Sequence, residues 1–99
     1  LGLTPNTPGT GIRVPRPALT EERRRDLTKV VKHEAENARV AIRNVRRDVM
    51  SQLKDLVKGG DLGEDESRKG EAELQKVTDR YIARVDEVGK AKEQEIMEL

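Results

Sequence analysis

The stretch TEERRRDLTKVVKHEAENARVAIRNVRRDVMSQLKDLVK, residues 20–58, decides the fold of this chain. It contains no proline and no glycine, and its apolar residues recur at steps of three and four, which is the spacing of one helix face. This apolar stripe comprises Leu27, Val31, Ala35, Ala38, Ile42, Val45, Val49, Leu53 and Leu56. At about 1.5 Å per residue the helix is roughly 57 Å long, so we expect partner helices to cover the stripe.

Local signals at both ends set the bounds of this helix. Thr20 is a good N-cap residue, and the carboxylates of Glu21 and Glu22 oppose the positive end of the helix dipole. Lys58 followed by two glycines is typical of a helix C-terminus.

Residues 61–66 predict a turn and the entry to a second helix. Its apolar seam comprises Leu74, Val77, Tyr81, Val85, Val88, Ile96 and Leu99, is continued backwards by Ser67 and Gly70, and is interrupted by Lys92. Because the loop is short, the two helices are expected to be antiparallel neighbours. Two long one-sided seams most naturally close with a third helix, which residues 1–99 do not supply, so we expect the sequence to be part of a longer protein.

The N-terminal segment has a different character. Residues 1–11 are rich in proline, glycine and asparagine, which favour turns, and residues 12–14 alternate in the manner of a short strand. Pro15 and Pro17 then favour a stiff, extended connector before the helical region. From the residues alone, this connector is equally well interpreted as a hinge or as an ordinary linker.

The long helix carries a second face, beside the apolar stripe, that is strongly cationic. We define this basic face by five residues: Lys32, Arg39, Arg43, Arg46 and Arg47. A charged helix face of this kind can simply be solvated surface that binds no partner. However, four arginines within nine residues favour a specific partner, because arginine binds phosphate in a two-pronged geometry. The basic face therefore predicts contact with RNA or another polyanion.

Composition narrows the class of protein. Charged residues make up 39% of the chain and there is one aromatic residue, so elongated helical packing is more plausible than a deep globular core. The net charge is +1, but the charge is unevenly distributed along the chain. Residues 21–58 contain eleven basic and seven acidic residues, whereas residues 59–99 contain seven basic and twelve acidic residues. There is no cysteine, which excludes disulfides and thiolate metal sites, and no apolar run approaches a membrane span.

The sequence offers no catalytic constellation. His33 is the only histidine, falls away from the seam and the basic face, and has no partner nucleophile. The carboxylates of residues 61–66 lack the ligand order of a calcium loop and are better explained by the helix dipole. Tyr81 lies on the apolar seam, so we expect a core position and not a base-stacking one. We predict a protein that is not an enzyme and needs no cofactor or metal.

Three blocks of sequence carry a family resemblance. They are IRVPRPALTEERR at residues 12–24, ARVAIRNVRRD at residues 38–48, and the segment from LQKVTDRYIARVDE to KEQEIMEL within residues 74–99. Together they resemble the C-terminal half of the bacterial-type ribosome recycling factor, over essentially the whole chain. The first two blocks are the specific ones, whereas the third is a weaker match alone.

The resemblance implies a mainly α fold with two long antiparallel helices of a three-helix bundle, preceded by a short β and hinge remnant of an inserted β domain. On this map, residues 1–14 are the end of the β-rich domain, residues 15–19 are the proline hinge, and residues 20–99 are helices two and three of the bundle. The hinge residues are Val14, Pro15, Arg16 and Pro17. The two domains of the family form an L shape that is similar to tRNA in outline.

The resemblance also implies a function. Members bind the post-termination ribosome through large-subunit rRNA and, with elongation factor G, promote subunit dissociation; we expect a monomer in a bacterial cytoplasm, with an organellar homologue left open. The implied rRNA-binding residues are Arg39, Arg43, Asn44, Arg46 and Arg47, joined by Lys32 from the same face. A structural coiled-coil interaction protein is the alternative, although the 3.6-type spacing disfavours sustained heptads. A DNA-binding helix is less favoured still, because no turn-helix reading unit accompanies it.

Overall fold

The computed structural model describes residues 19–99, which form two long helices. Helix α1 spans Glu21–Lys58 and helix α2 spans Glu64–Met97. The predicted pair of long helices is thereby confirmed, including both ends of α1. The strand predicted at residues 12–14, the hinge residues 14–17 and the assigned β-domain remnant, residues 1–14, lie outside the described residues.

Helix α1 begins where its capping signal predicts. The Thr20 hydroxyl accepts a hydrogen bond from the Arg23 backbone N–H at 3.0 Å, and Thr20 itself is extended. The Arg24 N–H donates to the Thr20 carbonyl at 3.0 Å. These contacts satisfy donors that the first turn of a helix leaves without an intrahelical partner.

The turn between the helices depends on one glycine. The Gly59 N–H donates to the Asp55 carbonyl and the Asp61 N–H donates to the Leu56 carbonyl, each at 2.9 Å, so the last carbonyls of α1 are satisfied. Gly60 adopts a φ of 78°, in the left-handed region that side chains with a Cβ disfavour. The chain can therefore reverse within five residues between Lys58 and Glu64.

The N-cap residue of helix α2 is Gly63, which has no side chain to cap the helix. The Glu66 carboxylate instead accepts a hydrogen bond from the Gly63 backbone N–H at 3.4 Å. Glu64, Asp65 and Glu66 place three carboxylates in the first turn, where the helix dipole favours them. The acidic run in the sequence is thus used at this helix end.

Contacts between the helices show their antiparallel register. A Cβ built on Gly70 would lie 3.6 Å from a Leu53 methyl carbon, and one built on Gly89 would lie 3.8 Å from the Ala35 Cβ. Residue numbers on α2 thus increase, from 70 to 89, as the numbers of their contacts on α1 decrease, from 53 to 35. The two glycines lie where α2 approaches α1 closely.

The face that α1 and α2 share is offset from the apolar stripes of the sequence. Val45 is 61% exposed, whereas Val49 and Leu53 of the same stripe are half-buried. On α2 the buried residues of the shared face include Thr78, while Tyr81 is 58% exposed. The expectation that Tyr81 is a core residue is therefore wrong for the described pair. Each stripe is wider than one helix contact, so part of it remains uncovered.

Uncovered residues of both stripes, together with the adjacent Val30, line an apolar channel between the helices. We call it the open groove, and it includes Val30, Val31, Ala38, Tyr81, Val85 and Val88. Val30 and Val88 are 56% and 44% exposed, respectively. A channel of this kind fits the expectation that a further helix covers the pair.

Candidate functional site

The predicted basic face lies along the side of the helix pair opposite the open groove. Arg43, Arg46 and Arg47 line one cleft between the helices together with the α2 residues Gln75, Thr78, Asp79 and Ile82. Lys32 and Arg39 line the next cleft along, together with Ala35 and the α2 residues Asp86, Gly89, Lys90 and Glu93. We call these two clefts together the basic groove. All five basic-face residues are thus brought together, and α2 contributes the other side.

Arg39 is the most constrained of the five cations. Its Nε donates to the Glu36 carboxylate at 3.1 Å, and its Nη1 forms a short ion pair with the Asp86 carboxylate of α2. Its side chain is 24% exposed. The hydrogen bond that Arg39 donates to Glu36, assisted by the contact with Asp86, raises the pKa of Arg39 above its ordinary value. Arg39 therefore stays cationic and connects the helices, with fewer donors left for a partner.

Arg46 is held across the helix pair by a neutral acceptor. Its Nε donates to Gln75 Oε1 at 3.0 Å, and Gln75 Nε2 donates in turn to Asp79 Oδ1 at 2.8 Å. The described residues give Arg46 no carboxylate partner. Its charge is therefore oriented without being neutralised.

The remaining cations of the basic face are more accessible. Lys32, Arg43 and Arg47 are exposed, and no carboxylate of residues 19–99 lies within ion-pair distance of them. Arg47 Nη2 donates to Asn44 Oδ1 one turn away. Asn44 thus contacts a basic-face arginine directly. These three cations form the part of the basic groove best able to meet an external anion.

The two sides of the basic groove differ in charge. Helix α1 contributes the five cations of the basic face, whereas α2 contributes the carboxylates of Asp79, Asp86 and Glu93 against a single cation, Lys90. A polyanion entering the groove would be repelled by α2 and attracted by α1. The site is therefore asymmetric, with most of its cations on α1 and an excess of carboxylates on α2.

Sequence reasoning missed the α2 residues of this site. Gln75, Asp79 and Asp86 contact or adjoin the basic-face arginines, yet no motif marks them. The only feature of the sequence that could have predicted these contacts is the antiparallel register of the two helices. The turn centres near residue 61, so residues about equally far from it along the two helices face each other, as Arg46 and Gln75 do.

We also searched the described part of the chain for a metal site, a membrane-spanning helix and contacts of His33. Within residues 19–99, no group of three metal-ligating side chains comes together, and no helix is apolar enough over a sufficient length to cross a bilayer. His33 is exposed on α1, and the structure gives it no hydrogen bond or ion pair with residues 19–99.

Comparison with known proteins identifies the relatives of this chain. The family model described as ribosome recycling factor matches residues 1–97. A protein named ribosome-recycling factor from Nitrosospira multiformis is 64% identical over 97 residues, which cover 98% of this chain and 52% of the relative. Proteins of the same name from Thioalkalivibrio sulfidiphilus and Bacillus mycoides are 62% and 61% identical, covering all of this chain and 54% of each relative. The chain thus spans about half the length of these curated relatives.

Proposed function

The chain belongs to the ribosome recycling factor family, and on that basis we propose that it is the helical part of a factor that recycles the post-termination ribosome. The factor binds large-subunit rRNA through the basic groove. Together with elongation factor G it promotes dissociation of the subunits.

The observation that carries this proposal is the accessibility of the cations on α1. Lys32, Arg43 and Arg47 are exposed, and Arg46 is oriented by an uncharged acceptor. Phosphate oxygens form strong charge-assisted hydrogen bonds with guanidinium groups, and release of counterions from RNA adds to the affinity. A surface with these properties suits the phosphate backbone of folded RNA.

The rest of the bundle follows from the open groove. We propose that a third helix, from the part of the protein outside residues 1–99, covers Val30, Tyr81 and their neighbours. That helix lies on the side opposite the basic groove, so completing the bundle leaves the cations accessible. Residues 20–99 then correspond to helices two and three.

We infer a mechanical role and no catalytic step for this chain. The basic groove docks the stiff bundle on rRNA, and a force applied through the domain linked at residues 15–19 is transmitted along the helices. The hydrolysis that drives the process belongs to the partner GTPase. The named relatives come from bacteria, which supports a bacterial cytoplasm as the place of action. We propose a monomer as the working form.

The experiment that tests this function replaces Arg43 and Arg46 together by alanine and measures the equilibrium affinity for the ribosome. Binding is expected to weaken, while the melting temperature stays nearly unchanged because Arg43 is exposed and Arg46 loses a single solvent-accessible hydrogen bond to α2. Replacing Lys69 and Lys76, two exposed residues of α2, by alanine is the charge-matched control. Equal ribosome affinity for the wild type and the double-arginine variant would rule out the proposed role of this face.

A further inference from the structure

Arg46, Gln75 and Asp79 form a chain of two hydrogen bonds that runs from α1 to α2. Contact of Arg46 with RNA would not by itself require the two α2 residues. Asp79 accepts from Gln75 Nε2 at 2.8 Å, which fixes the amide so that its oxygen points to the arginine. That oxygen accepts from Arg46 Nε at 3.0 Å. Each donor is matched to an acceptor, so the orientation of the amide follows from its two partners.

This arrangement uses one particular edge of the Arg46 guanidinium. Nε is occupied by Gln75, and the hydrogen bonds within residues 19–99 leave the two Nη groups of Arg46 without a protein acceptor. The Nη groups are the donors that bind a phosphate with two parallel hydrogen bonds. Because Gln75 is neutral, the positive charge of Arg46 is not cancelled, in contrast to Arg39 with its carboxylate partners.

We propose that Gln75, anchored by Asp79, is a positioning residue that pre-orders Arg46 for phosphate binding in the basic groove. The inference rests on the proposed rRNA contact and assigns α2 a part in it. Ordering a flexible arginine before binding removes an entropic cost that corresponds to about 2- to 12-fold in affinity. The variant Gln75→Met keeps the length of the side chain and removes the acceptor.

The test compares Gln75→Met with Gln94→Met, because Gln94 forms the same kind of amide-to-carboxylate bond with Glu98 near the end of α2. Gln75→Met is expected to weaken binding to the isolated large ribosomal subunit about 3- to 10-fold, whereas Gln94→Met leaves it unchanged. Both residues are exposed, so the helical signal and melting temperature serve as checks that the variants are folded.

Two further readouts separate positioning from a general structural effect. The Arg46 Nε–H should exchange with solvent faster in Gln75→Met, as measured by NMR, while the backbone amides of α1 keep their protection. In an Arg46→Met background, Gln75→Met should cause no further loss of affinity. Weaker binding of equal size in both backgrounds would overturn the inference, because Gln75 would then act on its own.

The remaining outcomes distinguish this inference from the proposed function. If Arg46→Met weakens binding and Gln75→Met does not, the arginine contact stands and the positioning role of Gln75 is wrong. If Arg46→Met itself binds the large subunit as the wild type does, the contact of Arg46 with rRNA is wrong and the inference falls with it.

Discussion

Asp86 of α2 forms an ion pair with Arg39 of α1, and this contact crosses the helix pair at the basic groove. Arg39 also binds Glu36 of its own helix, so one guanidinium is shared between two carboxylates. Among the basic-face residues, the contacts within residues 19–99 pair only this one with acidic side chains. The basic face thus combines a cation that holds the helices together with cations that remain accessible.

Removing the Arg39–Asp86 ion pair should lower the stability of the helix pair and raise its affinity for the ribosome. In Asp86→Asn the helix pair loses a charged contact and its melting temperature should fall, whereas ribosome affinity should rise because Arg39 is freed and a carboxylate leaves the groove. Affinity is measured at low salt, where screening is weak. Asp65→Asn, which removes the same charge from a pair with Arg68 at the start of α2, is the control. Weaker ribosome binding by Asp86→Asn alone would mean that Asp86 orients Arg39 for its partner.

The open groove can be tested with two valines on the same helix. Val30 is 56% exposed and lines the open groove, whereas Val40 is 44% exposed and does not line it. If only the described helices packed together, Val30→Lys would be the milder change. A third helix that covers the open groove would reverse this order. In the whole protein Val30→Lys should then cost about 2 kcal/mol or more of unfolding free energy and Val40→Lys less than about 0.5 kcal/mol. Similar denaturation midpoints for the two variants would contradict coverage of the groove.

Two glycines predict stability changes of opposite sign. A Cβ at Gly89 meets only the Ala35 methyl at 3.8 Å, an ordinary contact, so Gly89→Ala should stabilise the protein by about 0.5–1 kcal/mol. Gly60 has a φ of 78°, so Gly60→Ala should destabilise it by about 1–2 kcal/mol although no atom obstructs the new methyl. Chemical denaturation measures both, and a destabilised Gly89→Ala would show that the helices cannot accommodate the methyl.

The N-terminal cap of α1 gives a local prediction. Thr20→Ala removes the acceptor for the Arg23 N–H and should cost about 1 kcal/mol, whereas Thr20→Ser keeps the hydroxyl and should cost little. Amide hydrogen exchange in the first turn of α1 should rise in Thr20→Ala only. Equal exchange in both variants would mean that other contacts fix the start of the helix.

The sequence was sufficient to predict the two helices and insufficient to predict which of their faces pack together. Thr20, Lys58 and the glycines after it act locally, so both ends of α1 could be inferred from neighbouring residues. The faces that meet depend on helix rotation, which the stripes do not determine because each is wide enough for two partners. Tyr81 was for this reason expected in the core, and it lies in the open groove.

The candidate site shows the same limit. The five cations of the basic face all lie on one helix, so helical periodicity alone placed Lys32, Arg43 and Arg47 together. The contributions of Gln75 and Asp86 arise between helices and depend on register. Whether a given arginine is neutralised by a carboxylate or held by an amide could be learned only from three-dimensional contacts.

The salt dependence of ribosome binding tests the central claim most directly. The logarithm of the association constant is measured against the logarithm of salt concentration for the wild type and for Arg43→Gln with Arg47→Gln. If these arginines neutralise rRNA phosphates, the slope should become shallower by roughly 1 for each arginine removed. The control pair Lys69→Gln with Lys76→Gln should leave it unchanged. Identical slopes for the wild type and the arginine variant would contradict the claim that the basic groove binds ribosomal RNA.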